Sequence, residues 1–593
     1  MTDIRAERIN STRLSDAHDN NLSNDVAIAI ASERDYLHDN KELSERLGNA
    51  HLNILPKKKL IVCLTAMSLG LFISFSDQTS VTIALPHIGA DLDANNTINW
   101  AGTSALLANC VFQILFGRLS DIFGRKAVLM TCLCILAASD LACGFAQTGV
   151  QFYIFRAFAG IGNGGIQSLT MVIVSDIVSL KDRGKYQGYL GANIGLGNAI
   201  GPFIMAGFIT HSSWRNFYYM MTPLVLLVAV TIFFLVKNQT HEKLDSVLSN
   251  KEKFKSIDYL GMLFSSAALT LILIPVSGGG STYKWNSPLI IAMFVVGGIC
   301  VCIFLIIEWK TAKLPMIPLR LFKKLSLSII LGSNFFFGMA YYGFMYYMPY
   351  YFSIIRNLDV LHVTIFVLPL VLPQSIVSIF AGQVVSYTGH YLPTIIFGYV
   401  IWFISCCLLL IWGVDTNYGV CVVILLVMGS GVGCTFQPTL VAAQANARKS
   451  ERAVVISARN VIRSLGGSIG IAVGSLIVSN SLLNEIKKAE ANPQDYGDIS
   501  QTYLDYLKDH IFNHVQVTGI SESQSHVVRG MYMKSVKDFF YLMIPLIAVC
   551  LISIFFVKDR GLQCLDEIPE EEKKQNDPES TPESANETHI EQK

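Results

Sequence analysis

Three ionisable side chains, Asp77, Asp140 and Arg156, stand inside long apolar runs. A charge at bilayer depth is costly, so such residues mark ion or substrate pathways. Arg156 stabilises an ionised carboxylate beside it, whereas apolar burial penalises that charge. A carboxylate under both influences is suited to carry a proton. Counted from the outer ends of their runs, each of the three lies about five to eight residues in, roughly 8–12 Å at 1.5 Å per residue. They are therefore expected to share one depth. A purely structural Asp77–Arg156 ion pair is the plainer alternative, and Asp140 is also compatible with facing interfacial water. Asn163 and Gln167 accompany Arg156, and Asn193 and Asn198 lie on the next run; such residues either tie helices together or line a cavity. Of the tyrosines around 341–351, Tyr341 and Tyr342 lie deepest and are candidates to stack on a flat or cationic substrate. Tyr346, Tyr347, Tyr350 and Tyr351 fall where an interfacial aromatic belt is expected.

Other chemistries find little support. Gly160-Ile-Gly162-Asn163-Gly164-Gly165 fits a dinucleotide fingerprint letter for letter, but that motif needs a preceding strand and a helix start. Here it is inside an apolar run, where close helix packing is the better reading. No Walker A, HExxH or GxSxG occurs in a supporting context, so no enzyme and no cofactor are expected. The thirteen cysteines form no CxxC pair and read as small buried or lipid-facing residues, with no metal site. A net charge of +1 argues against a nucleic-acid partner.

The elements that must position these residues are membrane spans. Hydrophobic residues are 52% of the chain and charged residues 15%, against about a quarter charged in soluble domains. Runs long enough for a bilayer, about 20 residues each, recur near 60–84, 98–117, 127–147, 151–174, 186–210, 217–236, 257–277, 287–308, 325–347, 361–385, 393–413, 418–440, 454–479 and 537–557. Lys57–Lys59, Arg118, Arg125, Lys126, Lys181, Arg183, Lys185, the lysines of 237–255, Lys310–Lys324 and Arg448–Arg452 all fall on one side. By the positive-inside rule that side, with both termini, is cytoplasmic. The 386–392 loop breaks the pattern by having no Lys or Arg. No cleavable signal peptide is expected, and Asn95 is the one sequon on a non-cytoplasmic loop, too near the membrane to favour glycosylation. The polar 1–56 and acidic 558–593 tails are expected to be disordered and cytoplasmic.

The loop Gly117-Arg-Leu-Ser-Asp121-Ile-Phe-Gly124-Arg125-Lys126 resembles the GxLaDrxGrk signature of the major facilitator superfamily. Asp77-Gln-Thr79 with Ala84-Leu85-Pro86 is similar to the first-helix signature of its fourteen-helix drug:proton antiporters. Arg156…Gly160 resembles the fourth-helix element, with Ala159 in place of the usual Gln. Gly197…Gly201-Pro202 is similar to the antiporter motif of helix five, although Met205 and Ala206 replace the paired glycines that usually follow. Trp214-Arg215, Asp258-Tyr-Leu-Gly261 and Arg463-Ser-Leu-Gly466-Gly467 also match. Ser175-Asp176-Ile177 with Arg183…Gly188 looks like fungal members, both multidrug exporters and vacuolar basic amino-acid transporters.

The resemblance covers about residues 57–557. It implies an all-α polytopic fold of two six-helix bundles (57–236 and 309–557) with two extra helices (257–308) between them. A cytoplasmic linker (237–256) precedes those two, and a non-cytoplasmic loop (480–536) lies within the second bundle. Gly382…Gly389 reads as a decayed, uncharged echo of the first loop signature, the weak internal symmetry such transporters carry. The resemblance also implies that the 117–126 loop latches the bundles together. The function it implies is export of drug-like molecules against an inward flow of protons. Vacuolar transport of basic amino acids and a non-transporting membrane sensor are the alternatives. The partners expected are a small-molecule substrate, protons and the lipid bilayer of the plasma or vacuolar membrane, with the protein working as a monomer.

Overall fold

The computed structural model describes residues 57–94, 97–98, 100–235, 257–278, 285–310, 316–317, 319–448, 451–496, 499–509, 521–559 and 561–562. The 1–56 tail, the 237–256 linker, Asn95 and most of the 558–593 tail lie outside the described residues. Among those described there is no strand, and fourteen helices are long and apolar enough to cross a membrane. Lipid offers the backbone no hydrogen bonds, so each span closes its own ladder.

The first bundle comprises α1 (Lys57–Asp91), α2 (Trp100–Phe123), α3 (Arg125–Gly144), α4 (Gly149–Ile177), α5 (Leu180–His211) and α6 (Trp214–Leu235). Next come α7 (Tyr259–Gly278) and α8 (Pro288–Lys310), which pack on each other. The second bundle has α9 (Leu325–Tyr350), α10 (Val360–Thr388), α11 (Leu392–Leu408), α12 (Tyr418–Phe436) continued by the short α13 (Pro438–Ala445), α14 (Arg452–Ala491) and α16 (Glu522–Ile554). The short α15 (Gln501–Asp509) lies between the last two.

Helix pairing repeats between the halves. In the first, α1 packs on α5 and α6, α2 on α4, and α3 on α4 and α6. In the second, α9 packs on α14 and α16, α10 on α12, and α11 on α12 and α16. The halves meet through α2 against α14 and α5 against α10, partners that exchange under the same two-fold relation. The two loop signatures obey it as well. Gly124 and Gly389 both adopt positive φ, 94° and 76°, a conformation glycine reaches without steric cost. Gly117 faces Ser457 of α14, while Gly382 faces Gly184 of α5.

The glycines of the dinucleotide-like stretch pack α4 between two neighbours. A Cβ at Gly164 would meet the Asn109 carbonyl of α2 at 2.6 Å, and one at Gly162 the Cys132 carbonyl of α3 at 2.9 Å. Close helix packing is therefore what this motif does.

Several helices outrun their apolar segments. Of the stretch 480–536 expected to be loop, Asn480–Ala491 continue α14 and Glu522–Val536 open α16. At 40 residues, α14 is about 60 Å long by helical rise, twice the hydrocarbon thickness of about 30 Å. Outside lipid, polar side chains no longer oppose helix continuation, so hydropathy stops before the helix does. A Ser521–Gln524 capping box starts α16, and Glu485 accepts from both Lys488 and Lys534 at 2.8 Å, joining the two extensions. The short helix α15 buries Leu504 and Leu507 beside them.

Candidate transport site

In the first bundle, α4 presents Arg156 and Asn163, two turns apart, to α1. The Arg156 Nη1 lies 2.6 Å from Asp77 Oδ1, and the Asn163 Nδ2 donates to Asp77 Oδ2 at 2.7 Å. Asp77 and Arg156 are both wholly buried. The guanidinium also lies 5.9 Å from the Tyr218 ring centroid. Asp140, on α3, is buried as well and stands within electrostatic reach of both Asp77 and Arg156. Neither of its oxygens has a hydrogen-bond partner among the described residues. The structure thus brings the three charged residues together. It does so although α1 runs on to Asp91, which puts Asp77 deeper in its helix than the apolar run suggests. Asp140 does not face interfacial water.

Polar contacts continue from this cluster toward the end of the bundle bearing Arg118, Arg125 and Lys126, the basic end. Gln167 Nε2 donates to Ser74 at 3.2 Å and to Gln78 at 3.0 Å, and Gln113 bonds Asn109 at 2.6 Å. Asn163 and Gln167 therefore tie α4 to α1. Asn193 bonds the Tyr189 carbonyl of its own helix at 2.9 Å, while Asn198 is buried with its Oδ1 unpartnered. Gly197 and Gly201 let α5 lie against α1: a Cβ at either would meet the Phe72 or Ser76 carbonyl at 2.7 or 2.6 Å. Pro202 follows inside α5.

At the basic end, Arg125 bridges two carboxylates, Asp121 at 2.6 Å and Asp176 of α4 at 3.0 Å, and donates to Ser120 at 2.6 Å. Arg118 approaches Asp121 at 3.4 Å, and Lys126 donates to the Phe233 carbonyl at 2.7 Å. These contacts lie within the first bundle. From α2 and α4, contact with the second runs through Gly117 against Ser457, Ser168 to Ser457 at 2.8 Å, and Asn460 to Met171 at 4.0 Å. Two further motif elements prove structural. Trp214 and Arg215 both hold Asp91 at the far end of α1, and Asp258 accepts from Gly261 N–H at 2.8 Å to cap α7.

In the second bundle, Tyr341 is buried, donates to Gln374 at 3.1 Å and meets Tyr342 edge-on at 5.3 Å. The aromatic-belt expectation for the later tyrosines fails for all but Tyr346. Tyr347, Tyr350 and Tyr351 are buried, because they turn inward onto Phe539, Tyr532 and Trp412. Sequence reasoning also missed two charges. Arg459 and Arg463, one turn apart on α14, are 0% and 3% exposed. Arg459 donates to the Phe436 carbonyl and to Thr439, and both guanidiniums lie over the Phe436 ring, at 5.5 and 4.4 Å. The buried-charge rule that singled out Asp77 applies equally to these two.

The model of the Major Facilitator Superfamily matches residues 67–471. The chain belongs to this superfamily. Among similar curated proteins, Citrate exporter 1 of Yarrowia lipolytica is 44% identical, over 86% of this chain and 74% of its own length. The MFS-type transporter clz4 of Cochliobolus lunatus is 32% identical, over 86% and 88%. The efflux pump dotC of Dothistroma septosporum is 30% identical, over 74% and 75%. Solved structures share the superfamily fold at low identity. The proton:xylose symporter XylE superposes with a TM-score of 0.54 at 12% identity, covering 86% of this chain and 99% of its own. The human organic anion transporter MFSD10 gives 0.53 at 13%, covering 83% and 100%. As a superfamily member, the chain is an integral multi-pass membrane transporter of small molecules.

Proposed function

We propose that this transporter is a proton-coupled exporter, taking a small molecule from the cytosol and returning protons. The observation that carries the reading is Asp140, a buried carboxylate with no hydrogen-bond partner among the described residues, beside an Asp77 already held by Arg156 and Asn163. Two carboxylates then share one guanidinium, and a proton supplies the missing positive charge. Losing that proton leaves a net negative cluster in low dielectric, which favours a conformation that admits water and a new proton. Asp121, Arg125, Gly124, Gly117 and Lys126 act at the basic end, taken as cytosolic by the positive-inside rule, where they set the balance between the two conformations. All these parts lie in one chain, so a monomer suffices.

Export is supported by the names of the relatives, a citrate exporter and an efflux pump. Uptake of basic amino acids into a vacuole is disfavoured, because a cationic cargo would meet Arg459 and Arg463 in the second bundle. The test is transport by purified full-length protein in sealed vesicles with an imposed pH gradient, using citrate, lysine and cationic dyes. Accumulation that collapses with a protonophore supports the reading. Transport of a cargo indifferent to the gradient refutes it.

A further inference from the structure

Arg459 and Arg463 have no place in the proton cluster, and their burial is costly. A buried ion is tolerated when it is paired, yet no carboxylate among the described residues pairs with either of them. The charged or ionisable groups nearest Arg459 are Arg463, Tyr399 and Tyr342. Arg463 has its Nε and Nη1 without hydrogen-bond partners among the described residues and stacks on Phe436. A third polar group completes the arrangement. Gln437 sits between α12 and α13, wholly buried, with both amide atoms unpartnered among the described residues. There Leu440 N–H bonds Gln437 O at 3.0 Å, and the carbonyl of Phe436 accepts from Arg459. Interrupted helices with free polar groups near the midplane are where transporters of this architecture hold cargo. Counted along α14 from Arg452, Arg459 and Arg463 lie roughly 10 and 16 Å in. Gln437 also lies against Gly191 of α5, with its Nε2 3.1 Å from where a Cβ would stand, so the cluster borders the first bundle.

We propose that Arg459 and Arg463, with Gln437 and the Tyr342 hydroxyl beside them, form the seat of an organic di- or tricarboxylate. The inference rests on the export reading and names its cargo class. Two guanidiniums one turn apart, about 5–6 Å between Cβ atoms, match two carboxylates on a short carbon chain better than one compact oxyanion. Each fork can hold a carboxylate in two parallel hydrogen bonds. Phe436 supplies an apolar floor for the carbon skeleton, and the Gln437 amide suits a hydroxyl or a third carboxylate.

The experiment is equilibrium binding to purified full-length protein in detergent, with no gradient, read by radiolabelled citrate and by thermal melting. Citrate and tricarballylate should bind the wild type and raise its melting temperature, while butyrate and inorganic phosphate bind at least tenfold more weakly. Arg463→Gln should weaken citrate by tenfold or more, yet melt at or above the ligand-free wild type, because an unpaired buried charge has gone. Arg463→Lys should recover part of the affinity, since charge remains without the fork. Citrate bound equally well by wild type and Arg463→Gln would overturn the proposal. So would phosphate binding as tightly as citrate, or a wild type that binds no carboxylate. Gradient-driven transport is measured separately in vesicles: its absence alongside intact citrate binding refutes the coupling and leaves the seat, and dye transport without citrate binding does the reverse.

Discussion

The charge balance of the Asp77–Asp140–Arg156 cluster makes a prediction that distinguishes it from a simple ion pair. If Asp77–Arg156 at 2.6 Å stood alone, Asp77→Asn would leave a bare guanidinium in the membrane and cost about 3–5 kcal/mol. Asp140, however, lies within electrostatic reach of Arg156 and has no hydrogen-bond partner to give up. In Asp77→Asn it ionises and takes over the guanidinium, so the loss should fall to about 1 kcal/mol, the worth of a hydrogen bond. Asp140→Asn removes the unpartnered group and should be neutral or slightly stabilising. The double variant alone exposes the full cost, so the cycle should show a coupling of about 2–4 kcal/mol. The assay is chemical denaturation of the four proteins in detergent, with vesicle transport in parallel. Each single variant leaves a cluster that balances without a proton, so each should lose gradient-driven accumulation while remaining folded. Additive stability losses, or wild-type accumulation by Asp77→Asn, would show that the two carboxylates do not share the guanidinium.

Three further outcomes follow from the same geometry. Asp121→Ala frees Arg125 from one of its two carboxylates and should slow turnover several-fold with little change in equilibrium cargo affinity; an equal loss of both would move Asp121 into the binding site. Gly117→Val pushes a branched side chain into Ser457 at the α2–α14 contact, so thiol reagents applied from the basic side should label a cysteine placed at Ser457's neighbour Ala458 faster than in the parent protein. Gly164→Leu drives α4 off the Asn109 carbonyl of α2, 2.6 Å from the Cβ position, and should abolish stable expression; a folded, active variant would show that α4 is not wedged there.

The spans were legible because lipid demands long apolar runs, and the Asp77–Arg156 pair because charge at that depth needs a partner. Helix ends were less so: Asn480–Ala491 and Glu522–Val536 continue helices where water, not lipid, surrounds the polar side chains. The facing of side chains was hidden as well. Tyr347 and Tyr351 have the composition of a belt, and only the packing of α9 on α16, with Trp412 alongside, turns them inward. Arg463 was legible in principle. Its place in the motif ending in Gly466-Gly467 hides that it is also a charge at bilayer depth. The cost of burying it is independent of the glycines beside it, one of which backs onto Phe335.

The proposed coupling needs an element that feels both the proton and the contact between the bundles, and α4 is the one that touches every part. Arg156 and Asn163 hold Asp77 toward one end, Ser168 and Met171 meet Ser457 and Asn460 of α14 in the middle, and Asp176 holds Arg125 at the other end. Between them, the glycines at 160–165 keep α4 against α2 and α3 with little side-chain padding. A helix packed on backbone moves as a rod with its neighbours, because there is no long side chain to absorb a shift. Under the proposed coupling, a change of charge at Asp140 would reach the α14 contact by displacement of the α2–α3–α4 unit rather than through a chain of rotamers. Replacing Ser168 with Ala removes its 2.8 Å hydrogen bond to Ser457 but leaves this packing intact. It should therefore change the transport rate by less than Gly164→Ala, which adds only a methyl group in the α2–α4 wedge. Larger loss from Ser168→Ala would mean that the hydroxyl pair, and not the rigid unit, carries the signal; rates in the same vesicle assay decide between them.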